Sequence, residues 1–416
     1  MDSVIRELRF ALQDRVFLLT LVVGGLLSIF TIVNGLEEST AEKALIERVE
    51  SVVDEDREFV LAGQSDPGGA AYYAFHFTYD PPSELAFAAR GVRDELPWKH
   101  RMRMLALEGQ IYETDTGNPE LSRVGKLDFA FLVAFLAPLL LILLLYDLRA
   151  IEIRNNRWAF LSVTSGNGNK LLRNRALLRV VLLYLCIVIP FIVVAFSSNA
   201  GFINIALIAA MIAFNFLFWL CIALFIVSRV ESGPTTAALL LGVWFLFAVV
   251  IPVSGKLVVE KVISVPNGGE ILLTQREAVN DAWDLPKEAT MTKFIERHPE
   301  WADTPEIGRP FEWKWYYAFQ QVGDQTVETL SQDLRAGITK RDQAMGIVSL
   351  ASPSLLTTRL LSKAANTNIA SFQRYDTCAR DFHSSLREFH YPMLFGDTEY
   401  SSEQMQELPT FEPCTS

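Results

Sequence analysis

Residues 129–146 run for 18 positions without a charge, and the chain then turns abruptly basic. At roughly 1.5 Å rise per residue, a helix of that length spans about 27 Å, close to a hydrocarbon core of about 30 Å. A bilayer admits only backbones that satisfy their own hydrogen bonds, so this stretch limits the fold more than any other. Residues 147–179 follow, with seven basic side chains against two acidic ones. A short loop with that excess is expected on the cytoplasmic side.

Four further uncharged spans are legible at 16–35, 180–196, 202–228 and 235–255, besides the one within 127–146. Pro190 and Pro252 fall in or near the ends of two of them, which membrane helices tolerate because neighbouring groups take over the freed carbonyls. Alternation then places the flank 1–15 inside, the loop 36–126 outside, the hairpin 147–179 inside and residues 256–416 outside. The expected fold class is an all-α polytopic membrane protein with five transmembrane helices and two large, mainly helical extracytoplasmic regions. The formal net charge of −11 is compatible with this, because acidity is concentrated outside the spans. Residues 36–125 carry net −9 and residues 257–416 net −8, whereas 126–256 carry net +6. No nucleic-acid partner is expected.

Between the spans the patterning is mostly helical. Val4, Ile5, Leu8, Ala11 and Leu12 share one side of a helix, which suits a cytoplasmic flank or a helix lying on the inner leaflet. The charged stretch after Gly35 repeats apolar residues at three, four and seven, as a helix leaving the membrane would, until Pro67-Gly68-Gly69 breaks it. Short strands are expected around 72–79 and 101–107, and one long helix over 313–347.

Chemistry-bearing motifs are scarce. The stretch Ser165-Gly166-Asn167-Gly168-Asn169-Lys170 lacks the spacing of a phosphate loop and reads as a turn, so ATP is not expected to bind this chain. Of the five histidines none pair at i,i+4, and His383 and His390, seven apart, read as surface residues. No Gly-x-Ser-x-Gly elbow is present. No catalytic, cofactor-binding or metal-ligating residues are assigned, and the chain is not expected to be an enzyme. Inside the spans there is no ionisable residue, which weighs against a proton-coupled transporter, and Asn215 reads as a bridge between helices. Cys186 and Cys221 lie in apolar spans. Cys378 and Cys414 could pair if the tail is in an oxidising compartment, though their spacing alone does not require it.

Several stretches carry a likeness: Tyr79-Asp80-Pro81-Pro82-Ser83, Gly91-Val92-Arg93-Asp94, Pro97-Trp98, Leu105 to Gln110, Asn118-Pro119-Glu120, Asp128-Phe129-Ala130-Phe131 and Asp147-Leu148-Arg149-Ala150. Gln275-Arg276-Glu277, His298-Pro299-Glu300 and Leu350 to Ser354 add to it. Together with the order of spans, they resemble the membrane subunit of type-two ABC exporters, the ABC-2 permeases, in a branch related to the permease of the nitrous-oxide reductase maturation system. The elbow departs from that pattern, since Glu152 is followed by Ile153-Arg154-Asn155-Asn156-Arg157 rather than Gly-Thr, and the sixth helix usual in the branch is not found.

The resemblance implies a multi-pass inner-membrane half-channel that pairs with itself or a related permease and is driven by a separate ABC ATP-binding subunit, which would hold the ATP. Arg149, Glu152, Arg154, Arg157 and Trp158 are then the candidates for coupling to that ATPase, against the plainer view that the arginines only enforce orientation. A membrane-anchored receptor or assembly factor is the alternative function. A membrane-embedded hydrolase is disfavoured by the absence of a visible nucleophile and base.

Overall fold

The computed structural model describes residues 2–113, 127–164, 167–396, 398–401 and 403–414. Asn118-Pro119-Glu120 and the first two residues of the stretch 165–170 lie outside them.

A short helix α1 (Asp2–Ala11) leads to α2 (Arg15–Ala62), which is unbroken for 48 residues, about 72 Å. The Asp14 side chain starts α2 by accepting from the backbone N–H of Val16 and Phe17. The apolar half and the charged half of α2 are one rod because Glu, Ala, Leu and Lys after Gly35 keep up helix propensity where apolar content falls. It ends at Gly63, and Asp66 then caps α3 (Pro67–Tyr73). An antiparallel pair follows, β1 (His76–Tyr79) and β2 (Lys99–Met102), in register His76 with Met102, and then α4 (Leu107–Ile111).

The second span is α5 (residues 129–145), and two short helices, α6 (Ala150–Arg154) and α7 (Trp158–Thr164), form the elbow. The remaining spans are α8 (Gly168–Ser197), α9 (Phe202–Val227) and α10 (Gly233–Val262). Five helices among the described residues are thus long and apolar enough to cross a membrane, and the chain is a multi-pass membrane protein. Helix α8 begins well before its apolar part, so Lys170, Arg173, Arg175 and Arg179 of the basic hairpin sit on the first turns of a span. Beyond α10 come α11 (Gly268–Asp281), α12 (Lys287–Arg297), α13 (Trp313–Ser349), α14 (Pro353–Ala364) and α15 (Ile369–Phe395).

Within the bundle, α2 turns Thr20, Gly24, Ser28 and Ile32 toward its neighbours, and α8 packs along it. Small side chains let the two backbones approach, and Ser28 donates to the Ile187 carbonyl at 2.8 Å. Two spans contain π-helical turns, Leu132–Leu136 in α5 and Leu246–Val250 in α10. A widened turn interrupts the regular i→i−4 ladder, and buried carbonyls left over need other partners. Asn215 donates to the Val133 carbonyl at 3.0 Å, Trp244 to Phe135 at 3.1 Å and Ser352 to Phe247 at 2.6 Å. Asn215 therefore bridges helices, as its isolation in an apolar span suggested.

Outside the spans the sequence suggested two regions, but they share one core. Met102, Met104, Leu107 and Ile111 pack with Phe294, Tyr317, Leu386 and Phe395. The polar joints across the gap are as close. Asp324 accepts from the backbone N–H of Leu107 and Glu108 at 2.8 and 3.1 Å, and from Arg387 at 2.6 Å. Tyr317 donates to the Gly68 carbonyl at 2.9 Å, and Arg380 pairs with Glu108. Cys378 and Cys414 form a disulfide that pins the tail to α15. The expectation that His383 and His390 lie at the surface is overturned: both are buried in this body, with His383 Nε2 2.8 Å from the Leu105 carbonyl.

Candidate functional site

The spans meet the rest of the chain at two ends. At one end the body is clasped onto the bundle by residues 80–98, and at the other the elbow joins three of the five spans.

The clasp is built where α2 emerges. Gly35 lies so close to the Phe87 carbonyl that a Cβ has no room, and this lets Leu85, Phe87, Ala88 and Ala89 enter the membrane-side core. Phe129 stacks on Phe191 at 5.3 Å, and Phe87 covers the same ring from 6.1 Å. Gly91 then takes a left-handed conformation, φ 54°, against the Thr367 carbonyl, where a side chain would be both strained and crowded. The turn carries two buried arginines. Arg90 pairs with Glu42, and with Glu38 and Asp94 at 3.2 Å each. Arg93 reaches Glu42 at 3.1 Å and Asp80 at 2.5 Å. Burial works to lower the Arg90 pKa, but the Glu42, Asp94 and Glu38 carboxylates outweigh it and hold the group above its ordinary value. Asp128 closes the clasp by accepting from the Arg90 backbone N–H at 3.0 Å while capping α5 at Phe131. Many of the stretches that carry the sequence likeness, Tyr79 to Ser83, Gly91 to Asp94, Pro97-Trp98 and Asp128 to Phe131, build this one feature.

Helix α14 completes that end. Ser352 caps it and bonds the π-helical turn of α10, while Leu361 and Ala365 enter the bundle core. Ser83 and Thr367 tie it back to the clasp through the Ala365 and Ala89 carbonyls, at 2.5 and 2.8 Å.

At the elbow the sequence candidates separate into two groups. Glu152 turns inward and is only 3% exposed, with Arg175 of α8 at 2.9 Å and Arg157 at 2.9 Å. Arg175 passes the contact on to Glu7 of α1 at 2.7 Å. Arg149 donates to the Ser228 carbonyl at 2.6 Å, reaches Glu231 at 3.4 Å and lies over the Trp158 ring at 5.4 Å. Arg149 and Trp158 thus fasten the elbow to the turn between α9 and α10, and Asp147 packs against Gly233 at the start of α10. The other group faces outward. The side chain of Arg154 is 62% exposed, though it pairs with Asp147, and that of Arg157 is 51% exposed. Beside them Phe160 and Val163 of α7 are 69% and 80% exposed, which the sequence reading did not single out. Their spacing of three places them on one side of the helix, a signal that was available.

The elbow is tied to several parts of the bundle at once. Force applied to α6 or α7 reaches α5 through the chain, α8 through Glu152–Arg175, and α10 through Asp147 and Arg149. No group of three or more potential metal ligands occurs among the described residues. A family model described as a domain of unknown function, DUF3526, matches residues 269–413. That match covers α12 to α15 and most of α11, yet the core it helps form is completed by residues 68–111 outside it. No curated protein and no solved structure matches the chain.

Proposed function

We propose that this chain is the membrane subunit of an ABC-2 type exporter, driven by a separate ATP-binding subunit that docks on the elbow from the cytoplasm. The observation that carries the reading is the elbow's linkage. A short charged connection between two spans, bonded to a third and to the N-terminal helix, suits the transmission of ATPase closure as a tilt of several helices at once. Arg154, Phe160 and Val163 are the side chains offered to the ATPase, while Glu152, Arg149 and Trp158 hold the lever to the bundle.

The orientation of this reading has the N-terminus and elbow in the cytoplasm and the body outside the inner membrane. The basic hairpin favours it. The Cys378–Cys414 disulfide favours it as well, because such bonds persist in oxidising compartments. Pairing with a second permease chain is supported by α10, the least covered span, of whose most apolar window only 17% is buried.

The test is direct. The full chain is purified in mild detergent with any candidate ATPase encoded beside it, and ATP hydrolysis is measured with and without this chain. Phe160→Ala with Val163→Ala is expected to release the ATPase or uncouple its hydrolysis while leaving insertion unchanged. An unaltered chain that neither retains nor influences the ATPase sinks the proposal. It would favour the anchored-receptor reading instead, for which the half-exposed Trp283 and Phe311 on the body offer an aromatic contact surface.

A further inference from the structure

A cavity of about 330 Å³ lies between α1, the start of α2, the end of α5, α6 and the first turns of α8. Its size is that of a small-ligand site. Val16, Leu143 and Ile151 rim it, and all three are exposed on the apolar side of the bundle. Tyr146 also lines it, at the end of a span, where amphipathic rings sit at the headgroup level. An occupant therefore enters from the lipid phase at the level of the headgroups.

The walls carry both signs of charge. Arg157, Arg175 and Arg179 stand against Glu7, Asp14, Asp147 and Glu152, three cations to four carboxylates. Arg175 and Arg179 are mostly buried and already paired, Arg175 with Glu7 and Glu152, Arg179 with Asp14 at 3.0 Å. Arg157 is half exposed and engages Glu152 through Nε, which leaves the tip of its guanidinium for a phosphate. Asp14 is one-third exposed, and a carboxylate accepts about four hydrogen bonds, so it has capacity for an ammonium besides Arg179 and the α2 cap. A singly anionic headgroup would meet a wall with one excess negative charge. A headgroup with a phosphate and a primary ammonium satisfies both signs, and a quaternary ammonium cannot donate to the carboxylates.

The geometry points to a binding site for phosphatidylethanolamine, its phosphate on Arg157, its ammonium on Asp14 and Glu7, and one acyl chain along Leu143 and Val16. Such a lipid joins α1, α2 and the elbow, the three parts that Arg175 and Arg179 of α8 already hold through Glu7, Asp14 and Glu152. The site requires only that the spans cross a bilayer and is independent of any ATPase.

The test is native mass spectrometry of the full chain in mild detergent, titrated with phosphatidylethanolamine, phosphatidylcholine and phosphatidylglycerol of identical acyl chains. The first phosphatidylethanolamine is expected to bind at least tenfold more tightly than either of the others. Leu143→Trp, at a lipid-facing position that accepts bulk, is expected to abolish this preference with no change in thermal unfolding, and Arg157→Gln to weaken it about fivefold. Equal binding of the three lipids, tightest binding of phosphatidylglycerol, or a preference untouched by Leu143→Trp would each overturn the assignment.

Discussion

The two ends of the helix bundle hold their charges in opposite ways. At the body end, Arg90 and Arg93 are sealed among Glu38, Glu42, Asp80 and Asp94, beneath a loop whose Gly91 meets the Thr367 carbonyl and whose Phe87 carbonyl meets Gly35 of α2. At the elbow end, Arg154 and Arg157 are more than half exposed and a cavity opens beside them. Losing one partner of a buried ion pair costs about 3–5 kcal/mol, whereas an exposed pair is worth about 0–1 kcal/mol. The body end is therefore a fixed frame, whereas at the elbow only the inward pairs of Glu152 and Arg175 are of that kind and the outward face can rearrange at little cost.

The largest expected effect would separate the ends by pH. All five histidines lie in the body and none at the elbow. Burial, then Arg57 and His390, lower the His76 pKa to about 3. Burial lowers His390 to about 4, and burial with Arg387 holds His383 well below its ordinary value. The unfolded groups titrate near 6.5, so above that pH both states are neutral and stability is complete. Below it the unfolded chain takes up protons that the folded body refuses, and stability is lost until the folded pKa values are reached. Three such groups together cost up to about 4 kcal/mol per pH unit. Hydrogen exchange between pH 7 and 5 should show the body opening while α8 and α9 stay protected. Equal loss at both ends would break the comparison.

Next in size, Arg93→Ala takes from Asp80 its ion-pair partner and leaves Glu42 with Arg90 alone, and is expected to destabilise by about 3–5 kcal/mol in a detergent thermal melt. A cost below 1 kcal/mol would mean the clasp is no frame. Cys378→Ser opens a disulfide whose cysteines are 36 apart and should cost about 2–4 kcal/mol, confined to the body. A mass map without reduction should find the pair bonded in unaltered protein. Free thiols there would remove this part of the contrast.

The spans were legible in the sequence because hydropathy is a local property. The fusion of the two regions outside the spans was not, since Asp324 with Leu107 and Arg380 with Glu108 join residues far apart in sequence. The π-helical turns lie in apolar sequence whose one local sign of them is the proline that follows each, Pro138 and Pro252, which has no N–H to give the helical ladder. The histidines were readable after all. Tyr375, Ala379, Phe382, Leu386 and His390 follow one another on α15 at steps of three and four, and His383 lies on the same stripe. At the elbow, residue type alone picked out five side chains, and only packing could tell that Glu152 turns inward while Arg154 turns out.

That division gives the last and smallest contrast, within the elbow itself. Glu152→Ala removes a buried carboxylate from Arg175 and Arg157, but Arg175 keeps Glu7, so a loss of about 2 kcal/mol is expected rather than the full cost of an orphaned charge. Arg154→Ala breaks only the exposed pair with Asp147 and should change stability by less than about 0.5 kcal/mol. Function should rank them differently if the elbow is a lever. Arg154→Ala acts on what the lever touches and is expected to weaken ATPase binding in a stable protein. Glu152→Ala acts on what holds the lever, and is expected to leave binding intact while ATP hydrolysis no longer responds to the membrane subunit. Paired measurement of ATPase retention and stimulated hydrolysis separates the two, and identical behaviour of both variants would mean that the inward and outward faces of the elbow do one job.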